Sequence, residues 1–160
     1  MTTILEIIFL LILGILFYQD IKEREVSLWI LISGIVIGGI NHFSQQDSSV
    51  FFITIAINLL FICVIFGVLW GYAKFKMKQA LFNVFGLGDL LFFILLAISL
   101  PTISFLLLFV FSLIFSLSIF LLLKKRFTQK TVPLAGLQSL FLGLIIIINK
   151  LTNSIDLYAI

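Results

Sequence analysis

The sequence predicts an all-α, polytopic membrane protein built as a bundle of six transmembrane helices, and three observations carry that prediction. The chain of 160 residues is 62% hydrophobic and only 11% charged, whereas a water-soluble domain carries roughly 25% charged residues. Its mean hydropathy is +1.33. The apolar residues fall in six runs separated by short polar connections, and nine of the ten Lys and Arg residues sit in alternate connections. Such alternation is the mark of membrane topology.

The runs are Ile4–Tyr18, Ser27–Ile40, Val50–Tyr72, Leu81–Leu100, Ile103–Leu123 and Val132–Asn149. A hydrocarbon core of about 30 Å asks for about 20 helical residues. The first two runs reach that length by borrowing Met1–Thr3 and His42–Phe43 at their outer ends. The first has no basic flank and no small-residue cleavage site before Asp20, so it reads as a retained span and not as a signal peptide. The third holds Asn58, suited to a hydrogen bond with a neighbouring helix, and Cys63, expected in the core. As the only cysteine, Cys63 excludes an internal disulfide and a Cys-rich zinc site. The fourth run ends at Pro101-Thr102, because proline cannot continue the helical hydrogen-bond ladder. The sixth opens with Pro133, a residue suited to a first helical turn. No polar stretch exceeds about ten residues, so 1–160 reads as a single transmembrane domain with no soluble domain.

The basic residues orient the bundle. Lys22 and Arg24 lie in the first connection, Lys74, Lys76 and Lys78 in the third, and Lys124, Lys125, Arg126 and Lys130 in the fifth. With six spans all three connections share one side, which the positive-inside rule makes cytoplasmic. The other side holds only Lys150, and both termini face outward with it. The net charge of +3 is therefore a topology signal and not a nucleic-acid surface. His42 falls in an outward loop, and Glu6 at the outer interface.

Two aspartates stand out against this background, since an acidic residue at the centre of a spanning helix costs at least about 2.5–3.5 kcal/mol and usually marks function. Asp20 closes the first run. Asp89 follows Phe85-Gly86-Leu87-Gly88 near the start of the fourth. The topology puts both near the cytoplasmic side. Two adjacent carboxylates cannot both ionise easily, which yields the one-ionised, one-protonated state that peptide hydrolysis needs. Lys22 and Arg24 beside Asp20 suit the base, and the apolar run after Asp89 suits the acid. Gly86 and Gly88 allow unusual backbone angles and a close approach of substrate.

Gly86-Leu87-Gly88-Asp89 matches the GxGD signature of intramembrane aspartic proteases. The stretch Asp20-Ile21-Lys22-Glu23-Arg24-Glu25-Val26-Ser27 resembles the first-aspartate motif of type IV prepilin (leader) peptidases, and Thr131-Val132-Pro133-Leu134-Ala135-Gly136 resembles the segment that opens their last span. The chain thus resembles a type IV prepilin peptidase over most of its length. It departs at Leu91, where the family usually has Lys, and at Leu28, where Asn is frequent. Larger family members carry a cytoplasmic insertion with paired CxxC motifs, linked to N-methylation of the mature pilin. This chain has neither feature and resembles the short, peptidase-only form.

The resemblance implies an aspartic endopeptidase of the bacterial cytoplasmic membrane. Asp20 and Asp89 would be catalytic, with Gly86, Gly88 and Pro133 in support. The substrate would be a prepilin-like protein with a short basic leader and a hydrophobic N-terminal helix, cut after a glycine at the cytoplasmic face. The lipid bilayer is the other partner. No metal, organic cofactor or nucleic acid is implied. The rival reading is an inactive relative that binds pilin-like helices as a membrane scaffold, which Leu91 favours. An ion or proton carrier is disfavoured, because no acidic residue continues across the membrane except Glu6.

Overall fold

A computed structural model of the chain describes residues 2–77, 86–123, 132–152 and 157–158. Six α-helices occur among the described residues: α1 (Thr2–Glu23), α2 (Leu28–Phe43), α3 (Ser48–Tyr72), α4 (Leu87–Ser99), α5 (Thr102–Leu123) and α6 (Leu134–Thr152), with a π-helical turn at Ala73–Met77 after α3. Of these, α1, α3, α5 and α6 are long and apolar enough to cross a membrane, while α2 and α4 are shorter. The apolar helices mark a membrane-embedded protein. Part of the expected fourth run, 81–85, lies outside the described residues, as do Thr131 and the basic residues Lys78, Lys124, Lys125, Arg126 and Lys130.

Helix α1 buries the stripe Phe9, Ile12, Leu13, Leu16 and Asp20, spaced three and four residues apart as one helical face requires. It stops where Arg24 takes a left-handed conformation (φ 57°). That geometry is unfavourable for any residue but glycine. The chain then folds back, and the Ser27 amide donates to Gln19 Oε1 at 3.1 Å. Helix α2 packs against α4 through small residues. A Cβ at Gly34 would lie 2.7 Å from Leu95 Cδ1, and one at Gly38 would overlap Ser99. Small residues four apart let helix backbones approach closely in lipid.

The break at Pro101 is held from two directions. The Pro101 carbonyl accepts the Phe105 amide at 2.8 Å, which starts α5. Asn58 of α3, fully buried, donates to the carbonyls of Ala97 and Leu100 at 2.9 and 3.0 Å. Helix α6 packs between α1 and α5. Phe92, Leu95 and Leu96 of α4 form the core with Leu13, Leu16, Leu31, Phe105 and Leu142. Helix α3 lies at the rim; Lys74 sits 4.7 Å over the Trp70 ring and Lys76 5.3 Å over that of Tyr72, a cation–aromatic belt typical of a membrane interface.

Two placements differ from the sequence expectation. His42 belongs to the last turn of α2, not to a loop. It is fully buried, and its Nδ1 donates to the Ile98 carbonyl at 2.8 Å. Cys63, expected in the core, is exposed on the surface of α3. The His42 end of the bundle is closed by Tyr158, whose hydroxyl accepts from Asn41 Nδ2 at 2.9 Å. Burial pushes the Tyr158 phenol up to about 12, so it stays protonated. Glu6, expected among headgroups, pairs there with Lys150 at 2.6 Å, with the two side chains 28% and 43% exposed. Exposed ion pairs contribute little, so Lys150→Ala is expected to cost less than about 1 kcal/mol in thermal unfolding of the detergent-purified protein.

Candidate active site

The functional geometry begins with an unfilled need at the start of α6. The first amides of a helix have no intrahelical partner, and the helix dipole makes that end favourable to negative charge. A Ser or Asp at the capping position would satisfy an amide with its own side chain. Here the capping position is Pro133, whose carbonyl accepts the Leu137 amide at 3.1 Å. Proline has no side-chain acceptor, so the amides remain open to groups from elsewhere in the fold.

Both sequence-predicted aspartates take them. The Gly136 amide donates to Asp20 Oδ2 at 2.6 Å, and the Ala135 amide donates to Asp89 Oδ1 at 3.0 Å. One carboxylate comes from the last turn of α1 and the other from the first turn of α4, yet consecutive residues of α6 hold them. Asp20 is buried and Asp89 half-buried. Each carboxylate spends one oxygen on its amide. Asp89 also lies within electrostatic range of Asp20.

The two cations nearest Asp20 in the sequence behave differently. Lys22 turns away and donates from Nζ to the Tyr18 hydroxyl at 2.8 Å. Arg24 bears on Asp20 electrostatically. Its left-handed backbone, which costs about 1–3 kcal/mol for a non-glycine residue, sets that side chain at the end of α1 beside the site.

The glycines divide differently from the sequence expectation. Gly86 caps α4 with φ −72° and ψ 142°, an extended conformation open to any residue. No described glycine has positive φ. What Gly86 contributes is space, since a Cβ there would meet Asp89 Oδ2 at 3.2 Å. Gly88 would meet only Val26, at 3.5 Å, an ordinary contact. Of the glycines beside the aspartates, Gly136 is where a Cβ is least tolerable, since it would lie 2.8 Å from Asp20 Cβ and 2.9 Å from Oδ2. Gly136 is thus a site residue that pattern reading gave no separate weight; its signal was its place three residues after Pro133. Pattern reading also passed over Gln138, a fully buried amide in the next turn of α6.

Among the described residues no group of three or more His, Cys, Asp or Glu side chains could hold a metal ion. A cavity of about 400 Å³ lies at the opposite end of the bundle, lined in part by Glu6, Asn41, Lys150 and Tyr158, and the aspartates do not border it. No family model, curated protein or solved structure matches the chain. The functional reading therefore stands on the site itself and on the motif resemblance.

Proposed function

We propose that the chain is an intramembrane aspartic endopeptidase that removes the short basic leader from type IV prepilin-like proteins at the cytoplasmic face of a bacterial membrane. The observation that carries the proposal is the convergence of Asp20 and Asp89 on the adjacent Gly136 and Ala135 amides. In this reading the chain makes six spans, the three basic connections and both aspartates lie on the cytoplasmic side, and the termini lie outside.

The chemistry follows from the pair. Two carboxylates held on adjacent amides interact as like charges, which favours one ionised and one protonated member, with a titration that belongs to the pair. The ionised member takes a proton from water, which attacks the scissile carbonyl carbon. The protonated member donates to the carbonyl oxygen as the tetrahedral intermediate forms. Collapse breaks the C–N bond: the proton gained from water passes to the leaving amine, and one hydroxyl proton of the intermediate returns to the carboxylate that had acted as acid, which releases the carboxylic acid product and restores the pair. The α6 amides fix one oxygen of each carboxylate. No metal or organic cofactor takes part in this scheme.

The test is co-expression with a prepilin-like protein from the same cell, reading its size and new N-terminus. Wild type is expected to cut after the leader glycine, and Asp20→Asn and Asp89→Asn to leave the precursor whole. The scaffold reading has one observation in its favour: Leu91, where the family carries Lys, packs against the apolar core. A wild-type protein that binds the precursor in the membrane without cutting it would favour that reading.

A further inference from the structure

Gln138 is the described residue whose side chain is least accounted for by the fold. It is fully buried, yet neither its Nε2 nor its Oε1 has a hydrogen-bond partner among the described residues. Other buried polar side chains nearby solve the same problem locally. Ser139 donates to the Gly136 carbonyl at 2.7 Å, and Ser112 and Ser116 of α5 donate to carbonyls of their own helix at 2.9 and 2.7 Å. A whole carboxamide buried without a partner is expensive, more so than a single hydroxyl. An apolar residue would fill the same place at lower cost, so the amide calls for a partner that the described residues do not supply.

Its place says which partner. Gln138 follows Ala135 by three residues, one turn of α6 deeper into the bundle, or about 4.5 Å along the axis. Side chains on a helix lean toward its N-terminus and cover the preceding turn. That turn, at Leu134 and Ala135, is where the Asp89 carboxylate is held. A carboxamide offers donors and an acceptor side by side, which is the complement of one peptide unit. A membrane helix that unwinds to be cut exposes such units where water cannot satisfy them.

Resting on the peptidase reading, we propose that the Gln138 carboxamide is a substrate-binding site. It takes the N–H and C=O of one unwound peptide unit on the membrane side of the scissile bond, within the hydrophobic segment that follows the leader glycine.

The experiment uses Gln138→Met, which keeps length and volume and removes the polar atoms. It uses detergent-purified protein and a synthetic peptide with a basic leader, a glycine and a hydrophobic helix. The expected result is an unfolding temperature equal to or above wild type, with kcat/KM lowered about tenfold, the value of a lost hydrogen-bonding partner. Peptides carrying an ester in place of one amide, at each of the first three positions after the glycine, add a readout that packing alone would not move. One of these should slow wild type and leave Gln138→Met indifferent. Binding is read in parallel in the uncleaving Asp20→Asn background, where adding Gln138→Met should weaken it about tenfold. Unchanged cleavage, a joint loss of stability and activity, or the same ester sensitivity in both proteins would overturn the assignment. If wild type cuts no peptide, the peptidase reading falls, and the binding comparison still decides the site; equal or absent binding in both proteins counts against it.

Discussion

Gly136→Ala is expected to disable the protein by adding one methyl group. The new Cβ would sit 2.8 Å from Asp20 Cβ, 3.3 Å from its Cγ and 2.9 Å from Oδ2. Asp20 Cβ is anchored to the backbone of α1 and cannot swing aside as the tip of a long side chain can. Either α1 and α6 separate or the Asp20 carboxylate leaves the Gly136 amide. A displacement approaching 1 Å at a catalytic group can cost about 100-fold in rate, and overpacking a tight contact costs about 1–3 kcal/mol in stability. Cleavage of a prepilin-like substrate should therefore fall by about two orders of magnitude. Gly143→Ala, seven residues on along the same helix, is the control. Its nearest neighbour would be Leu10 Cδ2 at 3.9 Å, an ordinary contact, and activity and stability should stay near wild type. Full activity in Gly136→Ala would mean that the Asp20–Gly136 contact is dispensable.

Asn58→Leu should produce the largest loss of stability without touching the site. Asn58 is fully buried, and its Nδ2 serves two carbonyls at once, those of Ala97 and Leu100. Both belong to the end of α4 beside Pro101, where the helix has no further amides to offer. Leucine keeps the branched shape and the number of heavy atoms of asparagine but leaves those carbonyls unpaired in an apolar interior. Two unsatisfied acceptors put the cost at about 2–4 kcal/mol. The partner-free Oδ1 of Asn58 disappears with the substitution, which keeps the figure below the full sum. Thermal unfolding in detergent reads the effect directly, and an unchanged midpoint would contradict the capping role. Because Asn58 sits at the far end of α4 from Asp89, activity should follow the folded fraction.

The helices were legible in the sequence because lipid demands long apolar runs, and the Pro101 break was legible because proline cannot be ignored by a helix. The two aspartates were legible for the same reason, as charges that an apolar setting makes conspicuous. Which face of each helix turns inward was not. In a soluble protein the polar face marks the outside; here apolar side chains cover both faces, so Cys63 could be exposed and His42 buried without any warning in the pattern. Gly136 escaped for another reason. A missing Cβ signals nothing until the partner that fills its space, Asp20, is brought from more than a hundred residues away. The Gly86 and Gly88 backbones looked like a conformational device and proved ordinary, with the space beside Asp89 as the useful property of Gly86.

The central claim is that Asp20 and Asp89, joined at the start of α6, hydrolyse a peptide bond together. The most direct measurement is mass spectrometry of products from a synthetic leader–glycine–helix peptide incubated with purified wild-type, Asp20→Asn and Asp89→Asn proteins, free of host peptidases. The account predicts one new N-terminus immediately after the glycine with wild type, and intact peptide with either variant. Cleavage that persists in either variant, or wild-type protein that binds the peptide and leaves it whole, would contradict it.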